Sequence, residues 1–312
     1  MILDLPATTT EKVSKKLVKM RESGGAVTLG RVLTLVVCAD EGEPTEGAIE
    51  AANDASREHP CRVIVVSLGN RAAAARLDAQ IRVGGDAGAS EVVVLRLYGD
   101  LAEHAESVVV PFLLPDTPVV TWWPGEAPSE PAADPVGRLG TRRITDAAKA
   151  SDPNTILAER LAGYAPGDSD LVWAQITYWR AILTAALDRP PHEPVERVVV
   201  SGPDRSPSID LLAGWLRAQL GVHTQRHIGS FEVRLERATG PLVLAVDGNN
   251  NAVLSNPGKP DGRVAMSTRG VRDCIAEELR RLDPDEIYHL ALQGAAQISR
   301  EPVGAPAEGV SA

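Results

Sequence analysis

RVLTLVV (Arg31–Val37) and its counterpart RVIVVSL (Arg62–Leu68), on either side of Thr45–Arg57, decide the fold class. Each is a short apolar run rich in β-branched residues, the composition of a strand buried on both faces. Between them Ile49, Ala52 and Ala55 recur at helical spacing. Strand, helix, strand makes one β-α-β unit, whose crossover is expected to be right-handed. Upstream, Thr8 and Glu11 have capping-box spacing, and Val13, Leu17 and Met20 mark one face of a helix over Thr9–Ser23 that Gly24-Gly25 ends.

Downstream the period changes. RLDAQIRV (Arg76–Val83) alternates strictly, so Leu77, Ala79, Ile81 and Val83 share one face of a half-exposed strand. EVVVLRL (Glu91–Leu97) can pair with it across the glycine-rich turn Gly84–Gly88. Asp100 is placed to cap a helix reaching about Phe112, and Pro118–Trp123 reads as a further strand stopped by Pro124-Gly125. A loop over Glu126–Pro135, a short strand at Arg142–Thr145 and helices over Pro153–Gly163 and Asp168–Asp188 follow. In the last of these Val172, Trp173, Ile176, Trp179, Leu183 and Leu187 fall near one stripe.

A second α/β unit begins with the strand Val195–Val200 and the helix Ser206–Leu220. Strands are expected at Phe231–Leu235, Leu242–Val246, Ala252–Leu254 and Arg263–Met266, with a hairpin turn at Gly248–Asn251. Helices over Val271–Arg281 and Pro284–Ala296 close it. The expected class is α/β: two α/β domains with mixed sheets joined by a helical segment. Their spans are 1–150, a connector over 151–190, 191–300, and a disordered tail over 301–312.

Bulk composition excludes several functions. The 312 residues carry 32 basic and 42 acidic side chains, a formal net charge of −10, which disfavours nucleic acid and anionic membrane as partners. The five basic residues of Lys12–Arg21 read as a solvated helix face. MILDLPATTT carries Asp4 and Pro6 and does not read as a signal peptide, and no apolar run is long enough to span a bilayer. Cys38, Cys61 and Cys274 are too few and too scattered for a disulfide framework or a thiolate metal site. They read as buried thiols in a reducing cytoplasm.

No catalytic constellation emerges. The chain has no P-loop, no Gly-x-Gly-x-x-Gly after a strand, no Gly-x-Ser-x-Gly and no His-Glu-x-x-His. His223 and His227 would lie about 13 Å apart on an extended segment, too far for one ion. No metal or cofactor is expected. SGPDRSPS (Ser201–Ser208) could present Arg205, Ser206 and Ser208 to an anion at a helix start. The plainer reading, and the favoured one, is a βα turn with Ser206 as cap and Pro207 at the first helical position.

Aromatic residues are scarce, at 4%, yet Trp173, Tyr178 and Trp179 fall within DLVWAQITYWR (Asp170–Arg180), and Trp122 and Trp123 are adjacent. Such residues anchor cores and interfaces. Neighbours on a strand point to opposite faces, so one of Trp122 and Trp123 must meet a covering helix, solvent or a partner. Trp122, Trp123, Gln175, Tyr178 and Arg180 are the candidate partner contacts.

Several segments together resemble the glucose-6-phosphate dehydrogenase assembly protein family, OpcA. They are HPCRVIVV (His59–Val66), RLDAQIRVGGDAGASEVVVLRL (Arg76–Leu97), PDTPVVTWWPG (Pro115–Gly125), YAPGDSDLVWAQITYWR (Tyr164–Arg180) and LDPDEIYHLAL (Leu282–Leu292). Their order carries the resemblance more than any one of them. Tyr178 stands where family members commonly have proline. The resemblance implies a cytoplasmic, non-enzymatic accessory protein whose partner is glucose-6-phosphate dehydrogenase, the NADP-reducing entry enzyme of the oxidative pentose phosphate pathway. The alternative is a sugar-phosphate-binding enzyme or metabolite sensor using the Ser201–Ser208 loop.

Overall fold

The structure, a computed structural model, describes residues 1–23, 30–42, 45–83, 91–190, 192–249, 251–266 and 268–300. The expected helix stop at Gly24-Gly25, the turn at Gly84–Gly88 and the tail over 301–312 lie outside the described residues.

In chain order the first elements are β1 (Ile2–Thr8), α1 (Thr10–Ser23), β2 (Leu33–Asp40), α2 (Thr45–Glu58), β3 (Cys61–Leu68), β4 (Arg76–Arg82), β5 (Glu91–Tyr98), α3 (Ala105–Val109), β6 (Val119–Trp122) and β7 (Arg142–Thr145). Then come α4 (Ile156–Ala162), β8 (Asp168–Asp170), α5 (Leu171–Gln175), α6 (Thr177–Leu187), β9 (Arg197–Gly202), α7 (Pro207–Leu220), β10 (His223–Ile228), β11 (Glu232–Glu236) and β12 (Leu242–Val246). The last are β13 (Asn251–Ser255), β14 (Gly262–Ala265), α8 (Val271–Arg280), α9 (Glu286–Ala295) and β15 (Ser299–Arg300).

These strands form two mixed sheets, so the α/β class holds. The chain groups into two compact units that are not contiguous in sequence. The first comprises 1–151, 163–174 and 269–285; the second comprises 152–162, 175–268 and 286–312. Residues 151–190, read from sequence as a connector, are thus shared between the two units.

The first unit holds an eight-stranded sheet in the order β1-β4-β5-β3-β2-β6-β7-β8. From β5 to β8 every neighbouring pair is parallel, and β4 and β1 add an antiparallel margin. The alternation of Arg76–Val83 is realised in β4: Leu77, Ala79 and Ile81 are buried and pair opposite Leu97, Leu95 and Val93 of β5. β1 has no counterpart in the sequence reading. It contains Pro6, which cannot donate to a ladder, and it sits at the sheet edge where that absence is tolerated.

Apolar side chains cover both faces of this sheet. Val13, Leu17 and Met20 of α1 join Val108, Val109 and Phe112 on one face. Ile49, Ala52 and Ala55 of α2 join Ile275 and Leu279 of α8 on the other. Strands buried on both sides need no alternation, which is why β2 and β3 are continuous apolar runs.

Two helix expectations are corrected. The helix from Asp100 to Phe112 is three short pieces: a 3₁₀ turn over Gly99–Glu103, α3, and a 3₁₀ turn over Val110–Phe112. Asp100 lies inside the first piece rather than capping it, and His104 leaves the helical region at φ −119°. The helix over Asp168–Asp188 begins instead as strand β8, whose Asp168, Ser169 and Asp170 pair with Arg143, Ile144 and Thr145. It then breaks at Ile176, at φ −86° and ψ 4°, between α5 and α6. The strand start is polar in origin. Asp168 forms a buried ion pair with Arg143, and Asp170 accepts backbone bonds from Ala147 and Val172, which a continuous helix would forfeit.

The second unit holds a seven-stranded sheet in the order β14-β13-β12-β11-β9-β10-β15. β9, β10 and β15 are parallel to one another and the rest are antiparallel. The β12–β13 hairpin forms as expected, with Asp247 Oδ1 accepting from the Asn249 and Asn251 amides at 2.8 and 3.0 Å. Those bonds hold the Asp247 carboxyl below its ordinary pKa. Helices α7 and α9 cross at Gly214 and Gly294, where a Cβ on Gly294 would come within 2.0 Å of the Gly214 carbonyl oxygen. Only glycine permits that approach.

Candidate functional site

The paired tryptophans lie in the interior of the first unit. Trp122 is 0% exposed among Val120, Ile144 and Leu171, and Trp123 is 5% exposed among Cys38, Val119 and Val136. They point to opposite faces, as strand neighbours must, and both faces are covered. Trp173 is also buried and its indole N–H donates to Asp285 at 2.8 Å.

The remaining aromatic-segment candidates belong to the second unit. Tyr178 is 45% exposed, whereas Gln175 and Arg180 are half-buried. Arg180 Nη2 donates to Thr177 Oγ1 at 3.0 Å, one turn back on α6. Trp179 is half-buried against Phe231, with ring centroids 4.2 Å apart. The apolar stripe of the sequence is therefore uneven: Ile176 and Leu183 are buried and Trp179 only partly.

The Ser201–Ser208 loop joins β9 to α7. Ser206 occupies the N-cap position without a side-chain cap bond, and Pro207 opens the helix. The hydroxyls of Ser206 and Ser208 are 3.3 Å apart, and Arg205 is exposed at φ 53°. Beneath the loop, Arg226 Nε donates to Asp210 at 2.8 Å while its other nitrogens donate to the carbonyls of Gly202 and Pro203. Arg300 binds the second Asp210 oxygen at 2.8 Å. This network, buried at Arg226 and Asp210, pins the turn to the sheet.

Sequence reading missed the buried charges of the first unit. Glu91 is 0% exposed and faces three arginines, Arg62 and Arg31 at 3.1 Å and Arg21 at 3.2 Å. Arg21 belonged in the sequence reading to a solvated face. On β7, Arg143 pairs with Asp168, and the adjacent Arg142 pairs with Glu278 of α8. Burial pushes the Glu278 carboxyl up, against the pull of Arg142. For Glu91, a charged residue opening an apolar strand was the available signal.

Asp146 and Asp170 form a like-charged neighbourhood at the end of β7. Burial, then repulsion from Asp170, pushes Asp146 up to about 7. Its folded pKa lies above the ordinary aspartate value. Its contribution to stability is therefore complete below about pH 4 and is lost as pH rises through about 7. Asp146→Asn keeps the acceptor for the Ala148 amide and removes the charge. It is expected to stabilise the chain by about 1–3 kcal/mol at pH 8 and by much less at pH 5. Denaturant melts of both proteins at the two pH values check this.

All three cysteines are free and buried. Burial raises Cys38, and it pushes Cys274 up to about 12. Thiols held so far from ionisation are poor nucleophiles. Cys38 and Cys61 are five pairs apart in the β2–β3 register, Leu33 facing Cys61 and Cys38 facing Val66. That separation is the one expected of parallel strands.

A cavity of about 320 Å³ opens at the carboxyl ends of the first unit's parallel strands. Cys38, Val66 and Trp123 are among its apolar lining, and Arg71, Glu103, Glu106 and Asp134 among its charged lining. His223 and His227 lie on β10, where His223 bonds Ser299 at 3.0 Å. Among the described residues no helix is long and apolar enough to cross a membrane.

The fold is that of a two-sheet α/β protein, and the polar clusters above tie its elements together. The chain belongs to the glucose-6-phosphate dehydrogenase assembly protein family, OpcA. Residues 52–162 match the family described as glucose-6-phosphate dehydrogenase subunit N-terminal domain, and residues 166–292 match the corresponding C-terminal domain. No curated protein matches the chain. Among solved structures it is similar to UDP-N-acetylglucosamine 3-dehydrogenase from Acidithiobacillus ferrooxidans, at 11% identity and a TM-score of 0.43 over 86% of this chain and 97% of that one. It is similar also to an oxidoreductase from Sinorhizobium meliloti, at 11% identity and a TM-score of 0.45 over 86% and 96%. Likeness this distant assigns no chemistry to the chain.

Proposed function

We propose that this chain is a non-catalytic accessory protein that binds glucose-6-phosphate dehydrogenase and promotes its assembly or activation in the oxidative pentose phosphate pathway, in the cytoplasm. The observation that carries the reading is the pair of family matches, which run consecutively through residues 52–292. An accessory protein acts by binding one conformation or oligomer better than another, and the difference in affinity sets the size of the shift. Tyr178 is the exposed member of the aromatic segment and the contact residue best placed to act without disturbing a core, with Gln175 and Arg180 beside it.

Mixing the purified chain with its cognate dehydrogenase should move the enzyme to earlier elution in size-exclusion chromatography and raise its specific activity. Unchanged elution together with unchanged activity rejects the reading. Tyr178→Ala should weaken the association about tenfold while leaving the melting curve in place. Calorimetry with glucose 6-phosphate tests the other source of function: tight binding to the isolated chain, lost in Arg205→Ala, would favour a metabolite sensor.

A further inference from the structure

Across the first unit's sheet the parallel strands stand in the order β5-β3-β2-β6-β7-β8. Counted along the chain these are the third, second, first, fourth, fifth and sixth parallel strands. That is the order of the doubly wound sheets that bind dinucleotides, with ligands at the carboxyl ends where the order reverses. Here the reversal falls between β2 and β6, and the cavity lined by Cys38 and Trp123 lies at that point. One departure is visible: β4 replaces the helix that usually connects the second and third strands.

In such sheets the turn after the first strand reads Gly-x-Gly-x-x-Gly. The first glycine makes the tight turn, the second lets the backbone approach the pyrophosphate, and the third lets the helix pack closely. The corresponding residues here are Gly42-Glu43-Pro44-Thr45-Glu46-Gly47, directly after β2 and opening into α2. The outer glycines are in register, and Gly42 has the positive φ of 95° that its position requires. The middle glycine is Pro44. Proline has no amide hydrogen to give a phosphate.

The surrounding charge points the same way. The sequence leading into α2 carries four acidic residues in seven positions, Asp40, Glu41, Glu43 and Glu46, a charge that disfavours a pyrophosphate. The Glu41 amide is already donated to the Leu68 carbonyl at 2.8 Å, and its carboxylate accepts from Tyr98 at 2.7 Å. Arg82 is engaged by the Glu46 carboxylate at 2.9 Å. In the cavity, three carboxylates stand against the one guanidinium of Arg71.

We infer that the first unit is a dinucleotide-type sheet whose pyrophosphate turn is disabled, so that the chain does not hold NAD or NADP in its switch-point crevice. The residues present do not fit the group that the strand order implies. The test is titration of the full chain with NADP⁺ and with NAD⁺, followed by calorimetry and by tryptophan fluorescence, since Trp123 borders the crevice. A sample that melts cooperatively should give no saturable signal up to about 1 mM of either nucleotide. Saturable binding below that concentration, competed by ADP-ribose, would overturn the inference. No dehydrogenase is present in the titration, so its outcome is independent of the accessory function proposed above.

Discussion

Glu91→Ala should lower the stability of the chain by about 3–5 kcal/mol, a large part of the roughly 5–15 kcal/mol that holds a typical domain together. The carboxylate is 0% exposed and is the shared counter-charge of Arg21, Arg31 and Arg62. Arg62 has the least room to escape: its own side chain is 7% exposed and its Nη1 is committed to the Phe112 carbonyl at 2.7 Å. Burial already lowers its affinity for a proton, and Glu91 opposes that effect. Removing the carboxylate leaves three like charges facing one another without their shared counter-charge. Glu91→Gln keeps one acceptor oxygen and should cost less than the alanine. Urea melts check both, read as a lower midpoint at unchanged slope. A loss below about 1 kcal/mol for the alanine variant would show the arginines repacking toward solvent.

Trp122→Ala should cost a similar amount, about 3–5 kcal/mol, by emptying a fully enclosed site. Its ring is 0% exposed, in one cluster with Val120 of β6, Ile144 of β7 and Leu171 of α5. The indole N–H has no hydrogen-bond partner among the described residues, so Trp122→Phe loses volume but no bond and should recover most of the stability. Trp123→Ala falls toward the lower end of the same range, because that ring already borders the cavity at the strand ends. Thermal melts of the three variants decide the ranking. Any loss of dehydrogenase binding in Trp122→Ala or Trp123→Ala would then report lost fold. Tyr178→Ala, on an exposed side chain, tests the contact itself.

Much of the fold was legible because its signals are local. A β-branched run needs burial on two faces wherever it lies, and β2 and β3 are such runs. The alternation of β4, the proline-opened start of α7 and the Asp247 hairpin each rest on a few adjacent residues. The polar core was not legible. Glu91, Glu278 and Asp170 look in sequence like ordinary surface acids. Their partners lie far along the chain, at Arg21, Arg142 and Thr145. The bonds of Asp168 and Asp170 likewise turned the start of the helix read over Asp168–Asp188 into strand β8, since helical periodicity carries no record of where a carboxylate will find its donors.

The candidate site divides in the same way. The aromatic concentrations and the family segments are properties of composition and order, so the residues alone located them. Which tryptophans are core was decided by helices packing on both faces of one sheet, and that depends on contacts between α1, α2, α8 and strands far from them in sequence. The near-fingerprint Gly42–Gly47 shows the limit most directly. As a string it fails the dinucleotide pattern at one position and means little. Strand order alone places it at the switch point of a parallel sheet, because hydrogen-bonded pairing between distant strands, and not any local propensity, sets which strands are neighbours.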